Sequence, residues 1–99
     1  MPAPTVPADA IALLARTGPR NIINYLVKHP GSYYGEIREA TVTAVSSLTR
    51  DLRLLESIGV IRTDVEQPIG ARRGRAPRYT VDVDRIDALI GELRAQLLG

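Results

Sequence analysis

The sequence has no cysteine, no phenylalanine and no tryptophan among its 99 residues. Without cysteine, neither a disulfide framework nor a thiolate metal site can form. Four tyrosines are the only aromatics, so a core must be assembled mainly from Leu, Ile, Val and Ala, which favours packed helices. Apolar runs are short, and none approaches the roughly 20 residues that span a bilayer. The opening MPAPTVPADA has neither the basic start nor the apolar centre of a signal peptide. The expectation is a soluble, cytoplasmic protein. Catalytic signals are equally scarce. His29, the single histidine, sits beside Pro30 and reads as a helix terminus. Asp82, Asp84 and Asp87 read as capping groups rather than a cation site, and Ser46 and Ser47 have no neighbouring His or Lys to act as base. No phosphate-binding loop or nucleotide fingerprint occurs. No enzyme, no metal and no cofactor are expected.

What is present is one domain's worth of apolar residues, 44% of the chain, and an uneven charge. The net charge of +2 averages over a stretch, residues 67 to 81, that holds Arg72, Arg73, Arg75 and Arg78 and no acid. Local charge is the informative quantity. Lys28 is the only lysine among the 13 basic residues, the others being arginine. That bias suits bidentate contacts to phosphate or guanine, and a GC-rich genome produces the same bias with no function attached.

Along the chain, the proline-rich residues 1–7 read as a flexible arm and residues 8–99 as a single domain. A first helix over 8–17 places Ile11, Leu14 and Ala15 on one face, with Leu13 beside it, until Gly18-Pro19 interrupts. A second runs from about Pro19 to His29 with a stripe of Ile22, Ile23, Leu26 and Val27, and Pro30-Gly31 stops it. After an extended piece at 32–34, a brief helix over 36–40 buries Ile37. The strongest helix starts at Thr43 or Ala44 and ends at Ile58, with Val45, Leu48, Leu52 and Leu55 facing inward and Gly59 as a left-handed stop. Residues 60–65 have the β-branched content of a strand, and 79–81 resemble its return partner, which puts GARRGRAPRY at a hairpin tip. A last helix over 84–98, capped by Asp84, carries Ile86, Leu89, Ile90, Leu93 and Leu97 near heptad spacing.

The fold class is therefore mainly α with a small β-hairpin. In this order of elements, residues 36–61, EIREATVTAVSSLTRDLRLLESIGVI, resemble the winged helix-turn-helix pattern of bacterial transcriptional regulators of the ArsR and MarR groupings. Leu55, Gly59, Val60 and Ile61 match the ending of a leucine, three residues, a glycine and two apolar residues. The resemblance covers about residues 19–81, with the helices over 8–17 and 84–98 as additions. It departs at Thr41-Val42-Thr43, where the turn often has glycine, so the start of the recognition helix is open to a shift of one or two residues.

The resemblance implies double-stranded DNA as partner, a recognition helix in the major groove and a basic wing beside it. With the leucines inward, Ser46, Ser47, Thr49, Arg50 and Arg53 lie outward or on the flank, and Thr43 precedes them. Arg50 suits a guanine edge; Thr43, Ser46, Ser47 and Thr49 suit phosphates or base edges; Arg53 suits the backbone. Alternatively, Arg50 and Arg53 only solvate the helix and pair with Asp51 or Glu56. In the wing, Arg72, Arg73, Gly74, Arg75 and Arg78 would meet the phosphates. Arg73-Gly74-Arg75 followed by Ala76-Pro77 resembles the core of a minor-groove AT-hook with one extra residue.

Regulators of this kind dimerise through terminal helices, which makes Ile11, Leu14, Ile86, Leu89, Ile90, Leu93 and Leu97 candidates for a homodimer contact; the same residues can instead close the monomer's own core. The expected role is that of a repressor-like regulator held on the nucleoid when bound to DNA. Architectural DNA binding and a protein-interaction module share the same pattern. The sequence carries no signal for an effector ligand, and no membrane partner is expected.

Overall fold

The computed structural model describes residues 8–42, 44–64 and 76–99. In chain order these form α1 (Ala8–Ala15), α2 (Thr17–Lys28), β1 (Ser32–Tyr33), α3 (Tyr34–Thr41), α4 (Val45–Ser57), β2 (Ile61–Thr63), β3 (Arg78–Val81) and α5 (Val83–Leu98). The strands make one antiparallel sheet in the order β1-β3-β2. Ile61 faces Val81 and Thr63 faces Tyr79 across β2 and β3, while Ser32 and Tyr33 face Tyr79 and Arg78 across β1 and β3. The hairpin expected from the sequence thus has a third strand, and the extended piece near residue 32 supplies it. Residues 1–7, Thr43 and 65–75 lie outside the described residues, and with them the expected arm and most of the expected hairpin tip.

Local chemistry ends α2 and α4 and starts α5. Pro30 and Gly31 (φ +78°) turn the chain out of α2, after which the Gly31 N–H donates to Tyr79 O at 2.9 Å and starts the pairing with β3. Gly59 (φ +79°) ends α4 in a Schellman arrangement: the Val60 N–H donates to Leu55 O and the Gly59 N–H to Glu56 O, both at 3.0 Å. Val60 and Leu55 are both buried and make the hydrophobic contact that accompanies this motif. Asp82, rather than Asp84, caps α5: its Oδ1 accepts from the Arg85 N–H at 3.0 Å. Asp84 falls in the first turn instead, where the helix dipole still favours an acid.

One core joins all of these elements. Leu48, Leu52 and Leu55 of α4 are fully buried with Ile22 and Leu26 of α2, Ile37 of α3, Val60, Ile61, Tyr79, Val81 and Leu89 of α5, while Ala10 and Leu13 close it from α1. Truncating one such leucine to alanine typically costs about 2–5 kcal/mol. Several sequence expectations are corrected. Val27 is 54% exposed because it stands one residue off the inward row Pro19–Ile22–Leu26, and Val45 is 48% exposed because, although in line with Leu48–Leu52–Leu55, it is the first residue of α4 and lies at the end of the row. In α1 the buried row is Ala10 and Leu13; Ile11 and Leu14 are half-buried against the core and Ala15 is exposed. The second helix begins two residues before Pro19, which occupies its first turn and is itself buried.

Asp51 sits on the buried stripe of α4, only 2% exposed, between Leu48 and Leu55. Arg16 Nη1 donates to its Oδ1 at 3.4 Å and Arg50 Nε donates to the same oxygen at 3.3 Å. Its other oxygen lies against the first turn of α2, so close that a Cβ at Gly18 would stand 2.9 Å from Oδ2. That turn has no acid of its own, and Asp51 brings a negative charge from the neighbouring helix to the end where the dipole favours it. We predict that the effect of Gly18→Ala depends on Asp51. In the native chain it lowers stability by about 1–3 kcal/mol through overpacking against the Asp51 carboxylate; with Asp51→Ala that part of the cost is lost, leaving only the smaller penalty of a Cβ before Pro19. Thermal denaturation of the four proteins checks this, and a Gly18→Ala effect independent of Asp51 would refute it.

Candidate nucleic-acid interface

Helix α3 closes on Val42, its left-handed C-cap, and rests against β1, while α4, which begins at Val45, packs on α2 and β2. Along α4, Ser46, Arg50 and Arg53 are exposed, and Ser47 and Thr49 are half-buried at the flank. These side chains are thus open to solvent or at its margin, and Thr49 is in addition engaged within the fold. Its Oγ1 lies 2.9 Å from the Tyr34 hydroxyl, which also donates to Val45 O at 3.0 Å. Tyr34, the first residue of α3, thus ties down the first turn of α4, a role its sequence position does not disclose.

Arg50 donates through Nε to Asp51, and its side chain is 54% exposed. This is the ion pair that the solvated-helix alternative expects, yet it holds only the inner edge of the guanidinium. Nη1 and Nη2 carry the planar fork that can face a guanine or a phosphate. Arg53 makes no ion pair among the described residues. At the other end of the helix, Arg85 Nε donates to Ile58 O at 2.9 Å, and the Arg85 chain packs 3.5 Å from the Cβ position of Gly59. A cation on the last carbonyls of α4 complements the dipole there.

In the sheet, Arg78 is exposed on β3. Its Nε donates to the Tyr33 hydroxyl at 3.0 Å, and its guanidinium carbon stands 5.0 Å from that ring's centroid. At the same level the Arg78 N–H donates to the Asp64 side chain at Oδ1 (2.9 Å) and the Asp64 N–H donates to Arg78 O (3.3 Å). Arg72, Arg73, Gly74 and Arg75 belong to the chain between β2 and β3 and, like Thr43, lie outside the described residues.

The terminal-helix candidates divide into two sets. Leu89 is fully buried in the monomer, and Ile86, Leu93, Ile11 and Leu14 pack partly on the same core. Ile90 at 56% and Leu97 at 73% point outward, in a row with Val83 at 52%. These three are seven residues apart on α5 and share one face.

A three-helix unit, a long helix ended by glycine, and an antiparallel sheet whose last two strands flank a basic segment together make one known architecture. The fold is a winged helix-turn-helix. Among solved structures, a possible transcriptional regulator for arsenical resistance is similar over 94% of this chain and 88% of its own, with a TM-score of 0.69 at 15% identity. A MarR-family transcriptional regulator from Silicibacter pomeroyi matches 88% of this chain and 57% of its own at TM-score 0.60 and 23% identity. A possible transcriptional regulator from Methanosarcina mazei Go1 matches 88% of this chain and 77% of its own, with a TM-score of 0.63 and 14% identity. The chain thus spans little more than half the length of the MarR-family structure. No protein-family model and no curated protein matches the sequence.

Within the winged helix, Tyr34 sets where α4 begins. Tyr34→Phe removes the hydroxyl from both Val45 O and Thr49, so it should lower stability by about 0.5–1.5 kcal/mol and speed hydrogen exchange of the first-turn amides of α4. Exchange accelerated uniformly over the chain, rather than at that turn, would count against this assignment.

Proposed function

We propose that this protein binds double-stranded DNA in a sequence-dependent way and regulates transcription, acting as a repressor by obstructing a promoter. The observation that carries the reading is the outward face of α4, where Ser46, Arg50 and Arg53 are exposed on a winged helix-turn-helix, beside strands that flank an arginine-rich segment. In helix-turn-helix docking, the amino-terminal part of such a helix enters the major groove. There the free fork of Arg50 reads a guanine edge, a contact worth about 1–3 kcal/mol of discrimination. Ser46, Ser47 and Thr43 bind phosphates or base edges, and Arg53 binds the backbone. Thr49, held by Tyr34, contributes through its methyl side or through positioning.

Arg72, Arg73, Arg75 and Arg78 contribute phosphate contacts, with Gly74 allowing close approach of the backbone. Four neutralised phosphates give a log-log salt slope of about −3.6, at about −0.9 for each. Measured on a duplex selected from a random pool and on unrelated duplexes, Arg72→Ala, Arg73→Ala and Arg75→Ala combined should weaken binding to all of them and flatten the slope by about 2.7 for each bound copy. An unchanged slope removes these arginines from the interface. Failure to select any duplex at low salt would overturn the DNA-binding reading itself, whereas equal binding to unrelated duplexes would make the protein an architectural binder.

Two copies related by a twofold axis address half-sites about 34 Å apart. The row Val83, Ile90 and Leu97 is the surface for this contact, with Ile11, Leu14, Ile86, Leu89 and Leu93 supporting it from behind. Asp87 and Arg94 are four residues beyond Val83 and Ile90 on the same side of the helix, so an antiparallel crossing of two α5 helices near Gly91 sets each acid against the partner's base. Gly91 has no neighbour within 4 Å of its Cβ position and leaves room for the close approach. Ile90→Asp should convert a dimer at tens of micromolar into a monomer with the fold intact by circular dichroism; sedimentation that shows a native monomer, with and without DNA, would sink the dimer.

A further inference from the structure

Val42 is the only non-glycine residue with positive φ among the described residues, at φ 49° and ψ 53°. A β-branched side chain in the left-handed region is a genuine outlier, where Gly or Asn would sit with little strain. Strain of this kind usually persists because packing compensates it. Here packing does not, because Val42 is 89% exposed, the most open of the large apolar side chains. It follows α3 directly and stands three residues before Val45, the first residue of α4, which is itself 48% exposed. Ala44 between them is exposed as well. The chain therefore presents branched methyl groups at the leading end of the helix whose outward face is proposed to read DNA. The shallow groove beside Val42 is lined by Gly35, Arg38, Glu39 and Ala44. Arg38 and Glu39 offset each other there, which makes it a poor phosphate seat and an acceptable neighbour for an apolar contact.

We propose that Val42, with Val45 behind it, is a specificity-determining residue that contacts the C5-methyl group of a thymine in the major groove. The thymine methyl is the apolar mark that distinguishes A·T pairs on that edge, and small apolar side chains are what meet it. The strained conformation at Val42 is retained because it lifts the two Val42 methyls clear of the protein surface, where a relaxed glycine would present none. This rests on the DNA-binding reading above, and the following experiment separates its failure from the failure of that reading.

The full-length protein is measured against the duplex recovered from a random pool, with each thymine replaced in turn by uracil, which deletes only the methyl. At one or two positions in each half-site, uracil should weaken binding about fourfold, the factor expected from one buried methyl group. Val42→Gly and Val42→Asn, both compatible with positive φ, should bind the thymine and uracil duplexes equally while their Tm stays level or rises. Affinity lost while stability holds is an outcome that a merely structural Val42 does not produce. A native protein that binds the selected duplex yet ignores every uracil replacement overturns the inference and leaves DNA binding standing. Methyl sensitivity that survives unchanged in both variants assigns the contact to another residue and also overturns it. If no duplex is bound at all, both readings fall together.

Discussion

The structure turns on a carboxylate in the wrong place for an ordinary amphipathic helix. Asp51 occupies a stripe otherwise made of leucines, and a buried ion is tolerated only when partners meet it. Those partners come from three directions: Arg16 at the joint between α1 and α2, Arg50 from the neighbouring position on α4, and the glycine-lined first turn of α2. Leucines can slide and repack with little penalty, whereas this arrangement has one solution. It fixes the rotation of α4, and so decides which side chains look outward. Tyr34 at the start of the helix and Arg85 on its last carbonyls fix its two ends. The leucines supply most of the binding of α4 to the core; the three polar contacts select its orientation.

Much of this was legible in the residues. The periodicity of Leu48, Leu52 and Leu55, the stop at Gly59 and the β-branched run after it predict the long helix and the strand that follows, and those elements lie where expected to within one or two residues. Propensity reads less well where tertiary pairing decides. Ser32 and Tyr33 form a strand only because β3 is beside them, and nothing local marks two residues as a strand. That Asp82 and not Asp84 caps α5 has a similar reason: both are good capping residues, and the helix begins where the Asp82 N–H bonds Val60 O and closes the sheet. Val27 adjoins a buried row and Val45 extends one past the edge of the core, and in one dimension neither is distinguishable from a member of the row.

The candidate surface was legible in kind more than in detail. Outward-facing Arg50 and Arg53 follow from helical geometry once the leucines are placed. Asp51 could have been found by the same rule, since position 51 lies three residues from Leu48 and four from Leu55, inside the stripe, where an acid demands a partner. Tyr34 and Arg85 could not, because what makes them matter is the approach of helices distant in sequence. The fold itself is shared with regulators at low identity, so its surfaces, and not its architecture, carry whatever individual function this chain has.

The sheet order has a mechanical meaning. Because β3 is bonded on both sides, by β1 and by β2, the strand that leads back from residues 65–75 is gripped by two rails rather than one. Through β3 the sheet is also tied to Ser32 and Tyr33, which lead straight into Tyr34 and its hydrogen bond to the first turn of α4. The base of the β2–β3 hairpin and the amino-terminal end of α4 therefore share one hydrogen-bonded path, besides the short chain connection through β2.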